Sequence, residues 1–183
     1  SNVCAHPTRL ERGIYGLSNA QLDTPWPKVT QLKQRMADAL ATLGMAVQRK
    51  VTVGDDLALL VYEIQTISQQ ADVLIINGGL GPTSDDLTAQ ALADASNDTL
   101  QENNDALTYL QQWCELRGMA LNAANRKQAF LPSRSFIVPN PVGSAVGFGV
   151  LLHGCLVICT PGIPRELEAM LADTITPLIA NTF

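Results

Sequence analysis

Apolar residues recur at helical spacing in KVTQLKQRMADALATLG, residues 28–44, where Leu32, Met36, Leu40 and Leu43 share one face and Gly44 supplies a stop. An amphipathic helix is expected there. MAVQRKVTV follows as a short strand and DDLALLVYEIQTISQQ as a second helix, while the unbroken apolar run DVLIIN suits a parallel strand covered on both faces. Further helices are expected from about Ser84 to Ala95 and from about Asn103 to Arg117, the latter ended by Gly118. Pro and Gly then punctuate short strands in SFIVPNPVGSAVGFGVLLHGCLVICTPG, with CLVICT the buried one, and the chain closes on a helix that Pro177 should kink or break.

This alternation of strand and helix over short connections predicts an α/β layer with right-handed crossovers. Residues 28–183 form the expected domain. Residues 1–27 hold no convincing strand and carry Pro7, Pro25 and Pro27, so they read as an irregular N-terminal arm.

Composition narrows the function. A length of 183 residues suits one core, and no apolar run approaches the roughly 18 to 20 residues of a membrane span. The formal charge is −5, with 12 basic and 17 acidic residues and no basic cluster, which argues against nucleic acid and for a small-molecule ligand. Cys4, Cys114, Cys155 and Cys159 form no disulfide framework and no secretory leader is visible, so a cytoplasmic protein without membrane attachment is expected. Cys155 and Cys159 would share one face of a strand, where ordinary buried thiols are favoured over a metal pair.

The chemistry concentrates in VLIINGGLGPTSDDLTAQAL, residues 73–92. A buried strand that ends in glycines and opens a helix presents backbone N–H groups at the positive end of a helix dipole, which makes an anion cradle. Gly78, Gly79 and Gly81 allow close approach of a ligand, and Thr83 or Ser84 can cap the helix and add a hydroxyl. Asp85 and Asp86 would repel a phosphate unless they bind a divalent cation, orient a water or hydrogen-bond a sugar or heterocycle. Alternatively they are the carboxylates favoured in any first helical turn. The stretch matches neither the Walker pattern nor GxGxxG.

Other fragments add candidates. Asp55 in TVGDD follows a strand, where a parallel sheet gathers its binding loops. PNPVGSAVG offers Asn140, Gly143 and Ser144 in a small-residue turn, and TPGIPRE places Glu166 at a helix start, where capping is the simpler role.

Taken in order, NGGLGPTSDDLT, NRKQA, NPVGSAVGF and TPGIPRELEAM closely resemble the CinA (competence-damage-inducible) family, in its N-terminal molybdopterin-binding-like domain. The likeness runs over about 28–183. That domain is similar to the MoaB and MogA proteins, whose GGTG reads GGLG here, with Leu80 at the variable place. The resemblance implies a three-layer α/β/α fold with a mostly parallel sheet and a pocket at the glycine turn. It also implies metal-dependent hydrolysis of ADP-ribose with Mg, Mn or Co, or else a module that binds molybdopterin or a nucleotide without turnover. Carried over by motif, the turn glycines are Gly78, Gly79 and Gly81, the acids Asp55 and Asp86 with Asp85 as the CinA-type extra acid, and the threonine Thr88. Asn125, Arg126 and Lys127 match NRKQA, where the cations suit a second phosphate or a solvated helix face. On this reading Asp55 and Asp86 hold the metal, and the N–H groups of residues 79–81 hold a phosphate.

Two departures shape the expectations. The family's first strand and its loop, reading like GDELLxG and then DTN, find no counterpart before Lys28. The chain also stops near Phe183, so the amidohydrolase domain of full-length members, and deamidation with it, is expected to be absent. A missing strand would expose apolar surface and unpaired backbone groups. The arm, anchored by Ile14, Tyr15, Leu17 and Trp26, is expected to cover that gap, and a homodimer is expected as well.

Overall fold

The computed structural model describes the backbone of residues 14–19 and 26–183, and side chains from residue 34 onward. Strands β1 (Ile14–Asn19), β2 (Arg49–Val53), β3 (Val73–Asn77), β6 (Phe136–Val138), β7 (Gly147–Leu152) and β8 (Cys155–Thr160) form one sheet in the order β2-β1-β3-β8-β7-β6. Only β7 runs against the others. A second ribbon pairs β4 (Leu100–Glu102) with β5 (Phe130–Pro132). The helices are α1 (Trp26–Ala41), α2 (Leu57–Ser68), α3 (Thr88–Ala95), α4 (Asn104–Glu115), α5 (Ala123–Arg126), α6 (Pro164–Met170) and α7 (Thr176–Thr182). A 3₁₀ turn (Lys127–Ala129) follows α5, and a π turn (Leu171–Ile175) joins α6 to α7.

Period-two alternation on the central strands divides the core into the two halves of a three-layer α/β/α fold. Leu74 and Ile76 of β3 and Cys155, Val157 and Cys159 of β8 face α2, α3 and α4, which contribute Leu60, Ile64, Ala91, Leu92 and Leu110. Val73, Ile75, Leu156 and Ile158 face the other way, onto Met36 and Leu40 of α1 and Leu167, Met170, Ile175 and Ile179 of the C-terminal helices. Every residue of β3 and of β8 is buried, as an apolar strand covered on both faces requires. The two β8 cysteines do share a face; burial pushes the Cys155 thiol up to about 12 and the Cys159 thiol further still. Both are buried thiols inside the core. No helix among the described residues is long and apolar enough to cross a membrane.

The irregular arm is a misreading corrected by β1. IYGLSN pairs in parallel on both sides, Tyr15 opposite Arg49 and Leu74, Leu17 opposite Val51 and Ile76. The sheet therefore has no gap for an arm or a second subunit to cover. A six-residue run with Gly16 near its centre carries little intrinsic strand signal, but two flanking parallel strands supply the pairing that propensity lacks. The anchoring roles expected of the Ile14, Tyr15, Leu17 and Trp26 side chains lie outside the described residues.

The remaining elements fall close to their expected places, with informative differences. Helix α3 begins at Thr88 rather than Ser84, and the residue before it, Leu87, makes no side-chain cap, so neither Thr83 nor Ser84 caps it. The π turn precedes Pro177, which sits in the first turn of α7, so the last helix is interrupted where proline predicts. The chain runs from β1 to β2 on one side and returns past β1 to β3 on the other, with α1 and α2 on opposite faces. The strand order thus reverses between β1 and β3, and open α/β sheets bind ligands at the carboxyl ends of strands at such a point.

Candidate functional site

The turn that leaves β3 stands at this reversal. Asn77 lies opposite Thr160 of β8, and the Thr160 hydroxyl donates to Asn77 Oδ1 at 3.1 Å. The Gly78 N–H donates to the Thr160 carbonyl at 2.8 Å. Gly78 and Gly79 take φ of +102° and +69°, conformations that only glycine adopts at low cost. A Cβ on Gly162, in the loop after β8, would come within 3.3 Å of Gly78 Cα, so the two loops touch backbone to backbone. Thr88 is fully buried and clamps the turn from behind: its hydroxyl donates to the Gly78 carbonyl at 2.7 Å and its N–H to the Gly79 carbonyl at 3.3 Å. The expected threonine of the site is thus a brace for the cradle. Among the described residues the N–H groups of Gly79, Leu80 and Gly81 make no hydrogen bond, which leaves three donors in succession at the mouth of the sheet.

The aspartates are not in a helical turn. Thr83 donates its N–H and its hydroxyl to Asp86 Oδ2, at 2.9 and 2.5 Å, closing a local ring that competes with helix and delays it to Thr88. Oδ1 of Asp86 has no hydrogen-bond partner among the described residues. Asp85 is exposed and, among the described residues, accepts only from the Ser84 hydroxyl, at 3.3 Å. Asp55 is exposed just beyond β2, while its neighbour Asp56 caps α2 by accepting from the Leu59 N–H at 3.0 Å. Strands β2 and β3 are separated by β1, a span of about 10 Å across the sheet.

Beside the turn opens a cleft of about 230 Å³. Gly79, Gly81, Ser84, Asp86 and Lys127 form its polar mouth, while Leu100, Phe130, Leu131, Val146 and Phe148 form an apolar wall. Lys127 donates to the Thr83 carbonyl across the mouth. Arg126 points elsewhere: Glu102 holds it through two bonds, Nε to Oε1 at 2.5 Å and Nη2 to Oε2 at 2.8 Å, and this pairing pulls the Glu102 carboxyl below its usual range. Asn125 gives its N–H to the capping Asn122 at 2.8 Å. Of the NRKQA residues expected at a phosphate, only Lys127, with its neighbour Gln128, borders the cleft. The apolar wall was not expected, because strands of three residues carry no readable period.

Asn140, Gly143 and Glu166 gather in a second group at the same edge of the sheet. Asn140 is fully buried and satisfied on every side, donating to Ala145 O and Glu166 Oε2, both at 2.8 Å, and accepting from the N–H groups of Val142 and Gly143 at 3.2 and 3.1 Å. Tyr109 of α4 donates to the Asn140 and Gly143 carbonyls. A Cβ on Gly143 would sit 2.3 Å from the Glu166 carboxyl, so the acid rests against bare backbone. Burial raises the Glu166 pKa, with the Asn140 bond opposing it, and Tyr109 is raised by burial and then by the Glu166 charge. Glu166 therefore ties α6 to the β6–β7 loop instead of capping its own helix. Ser144 is half-buried in that loop.

Residues 29–181 match the family model described as a probable molybdopterin binding domain. A CinA-like protein of Colwellia psychrerythraea is 56% identical over 145 residues, covering 79% of this chain and 34% of the relative. A Shewanella oneidensis protein named nicotinamide-nucleotide amidohydrolase PncC is 42% identical over 147 residues, 80% of this chain and 35% of its own. The chain thus spans about a third of the length of the curated relatives it matches. Among solved structures, CinA from Thermoplasma acidophilum, a protein of unknown function, aligns with a TM-score of 0.81 at 26% identity over 95% of this chain and 99% of that one. A molybdenum cofactor biosynthesis protein B aligns at 0.54 and 17% identity over 93% and 91%, a likeness of fold alone. The chain belongs to the molybdopterin-binding domain family, among its CinA-like proteins.

Proposed function

We propose that this domain binds a phosphorylated heterocycle, a nucleotide such as ADP-ribose, and hydrolyses its pyrophosphate with a divalent ion. The observation that carries the reading is the succession of N–H groups at Gly79–Leu80–Gly81 that have no partner among the described residues, at the mouth of an apolar-walled cleft. Backbone donors hold one phosphate, Lys127 offsets charge at the mouth, and the Leu131, Val146 and Phe148 wall takes the ring. Asp86 would hold the ion directly, and Asp55, just beyond a strand about 10 Å away across β1, would reach it through water. Asp55 is exposed and Asp86 half-buried, and carboxylate oxygens suit Mg²⁺ or Mn²⁺, but no three metal-ligating side chains gather among the described residues. The donors therefore fit an ion whose shell is completed by ligand phosphate and water. When bound, such an ion supplies Lewis-acid polarisation of the phosphoryl oxygens. Thr83 keeps Oδ2 of Asp86 fixed and leaves Oδ1 without a hydrogen-bond partner among the described residues.

AMP release from ADP-ribose with Mg²⁺, Mn²⁺ or Co²⁺ tests the reading, and release no greater than that of an Asp86→Ala control defeats it. The family's name and the apolar wall also favour a second reading, a non-catalytic module for molybdopterin or a nucleotide. Calorimetry separates the two, since binding without turnover supports the module. The relative named for a nicotinamide nucleotide favours nucleotide over pterin as the first ligand to try.

A further inference from the structure

We infer that Lys127 is a positioning residue for Asp86, acting through Thr83, and that this relay sets how well the turn holds an ion; the metal part rests on the function proposed above. The chain of contacts is short. Lys127 Nζ donates to the Thr83 carbonyl. Thr83 in turn gives both its N–H and its hydroxyl to Asp86 Oδ2. A Cβ on Gly81 would lie 2.6 Å from that same oxygen, so the carboxylate is trapped between Thr83 and the bare backbone of Gly81.

Lys127 is itself held on a platform. Asn122 caps α5 by accepting from the Asn125 N–H at 2.8 Å, and Arg126 is forked onto Glu102 of β4. The ammonium thus reaches across 44 residues of sequence from a fixed base to the middle of an exposed turn. Among the described residues the turn has no other side-chain donor on the Thr83 carbonyl, so without Lys127 the segment 82–86 keeps only its internal bonds. Lysine carries three N–H donors, and the two not used on Thr83 stay at the cleft mouth for an anion. One cation thereby links the ligand's charge to the orientation of the acid.

Hydrogen exchange at the Thr83 amide tests the relay without any ligand. Lys127→Met should speed that exchange about tenfold, Lys127→Arg should hold it within about threefold of wild type, and in an Asp86→Ala background Lys127→Met should add little. In a second arm, Mn²⁺ binding with ADP-ribose present, read by electron paramagnetic resonance, should weaken about tenfold in Lys127→Met and recover in Lys127→Arg, with the melting temperature unchanged. Wild-type exchange at Thr83 in Lys127→Met overturns the relay whatever the ligand does. Failure of the wild-type protein to bind Mn²⁺ and ADP-ribose, with Thr83 responding as stated, defeats the proposed function and leaves the positioning role supported. Weakened Mn²⁺ binding that Lys127→Arg does not recover overturns the positioning role.

Discussion

Thr83 turns its backbone N–H and its hydroxyl onto one oxygen of Asp86, at 2.9 and 2.5 Å, leaving the other without a hydrogen-bond partner among the described residues. The arrangement needs a glycine at 81, although Gly81 is not among the residues with positive φ. Its missing side chain is the space the carboxylate occupies, since a Cβ there would lie 2.6 Å from Oδ2.

Gly81→Ala should therefore be tolerated by the backbone and not by the site. The carboxylate must swing away from Thr83, and ligand-dependent metal binding should fall about tenfold or more while stability changes by less than about 1 kcal/mol. Calorimetric titration of Mn²⁺ with ADP-ribose, beside a urea melt, checks both parts. Unchanged titration would show that the orientation of Asp86 does not matter.

How much of this was legible in the sequence depends on the range of the forces involved. The β3 strand is apolar along both faces, so VLIIN announces itself, and Gly78 and Gly79 mark the turn because their backbone needs glycine. β1 does not announce itself, since Ile14–Asn19 becomes a strand only when β2 and β3 flank it. The start of α3 was misplaced because the Thr83–Asp86 ring is a local competitor that helical periodicity does not reveal. For NRKQA, composition located the cations, but Glu102, 24 residues away, holds Arg126 away from the cleft, while Lys127 turns to the Thr83 carbonyl at its mouth.

The ribbon that walls the cleft hangs on Asp98. Its carboxylate accepts from the Ser133 hydroxyl at 2.6 Å and from the N–H groups of Thr99 and Arg134 at 2.7 and 3.1 Å, which fastens the start of β4 to the end of β5. The Ser133 hydroxyl leads in holding its pKa at about 2, against the opposing effect of burial. A depressed carboxylate pKa adds stability that is fully present above the unfolded value, 3.8, and is lost as pH falls through about 2. Wild type should lose about 1 to 2 kcal/mol between pH 4 and pH 2 from this group, and Asp98→Asn should lack that part of the acid sensitivity. Urea melts of both proteins across that range measure it, and parallel curves would remove Asp98 from the account.

Glu166 behaves in the opposite sense. Burial beside the bare backbone of Gly143 raises its pKa, and the bond from Asn140 only partly offsets this. A raised carboxyl pKa means that the fold favours the protonated acid, so its contribution is present below the unfolded value, 4.5, and is lost as pH rises through the folded one. Glu166→Gln keeps an oxygen to accept from Asn140 Nδ2 and removes the charge. It should raise the melting temperature at pH 8, with the advantage shrinking as pH falls through the folded value and gone below the unfolded one. Gly143→Ala, by contrast, drives a methyl group into the Glu166 carboxyl and Asn140 Nδ2, at 2.3 and 2.5 Å, and should cost about 1 to 3 kcal/mol at any pH. Thermal melts of the two variants across pH distinguish charge from shape: a Glu166→Gln advantage that does not vary with pH would mean the carboxyl strains the loop by its size and not by its ionisation.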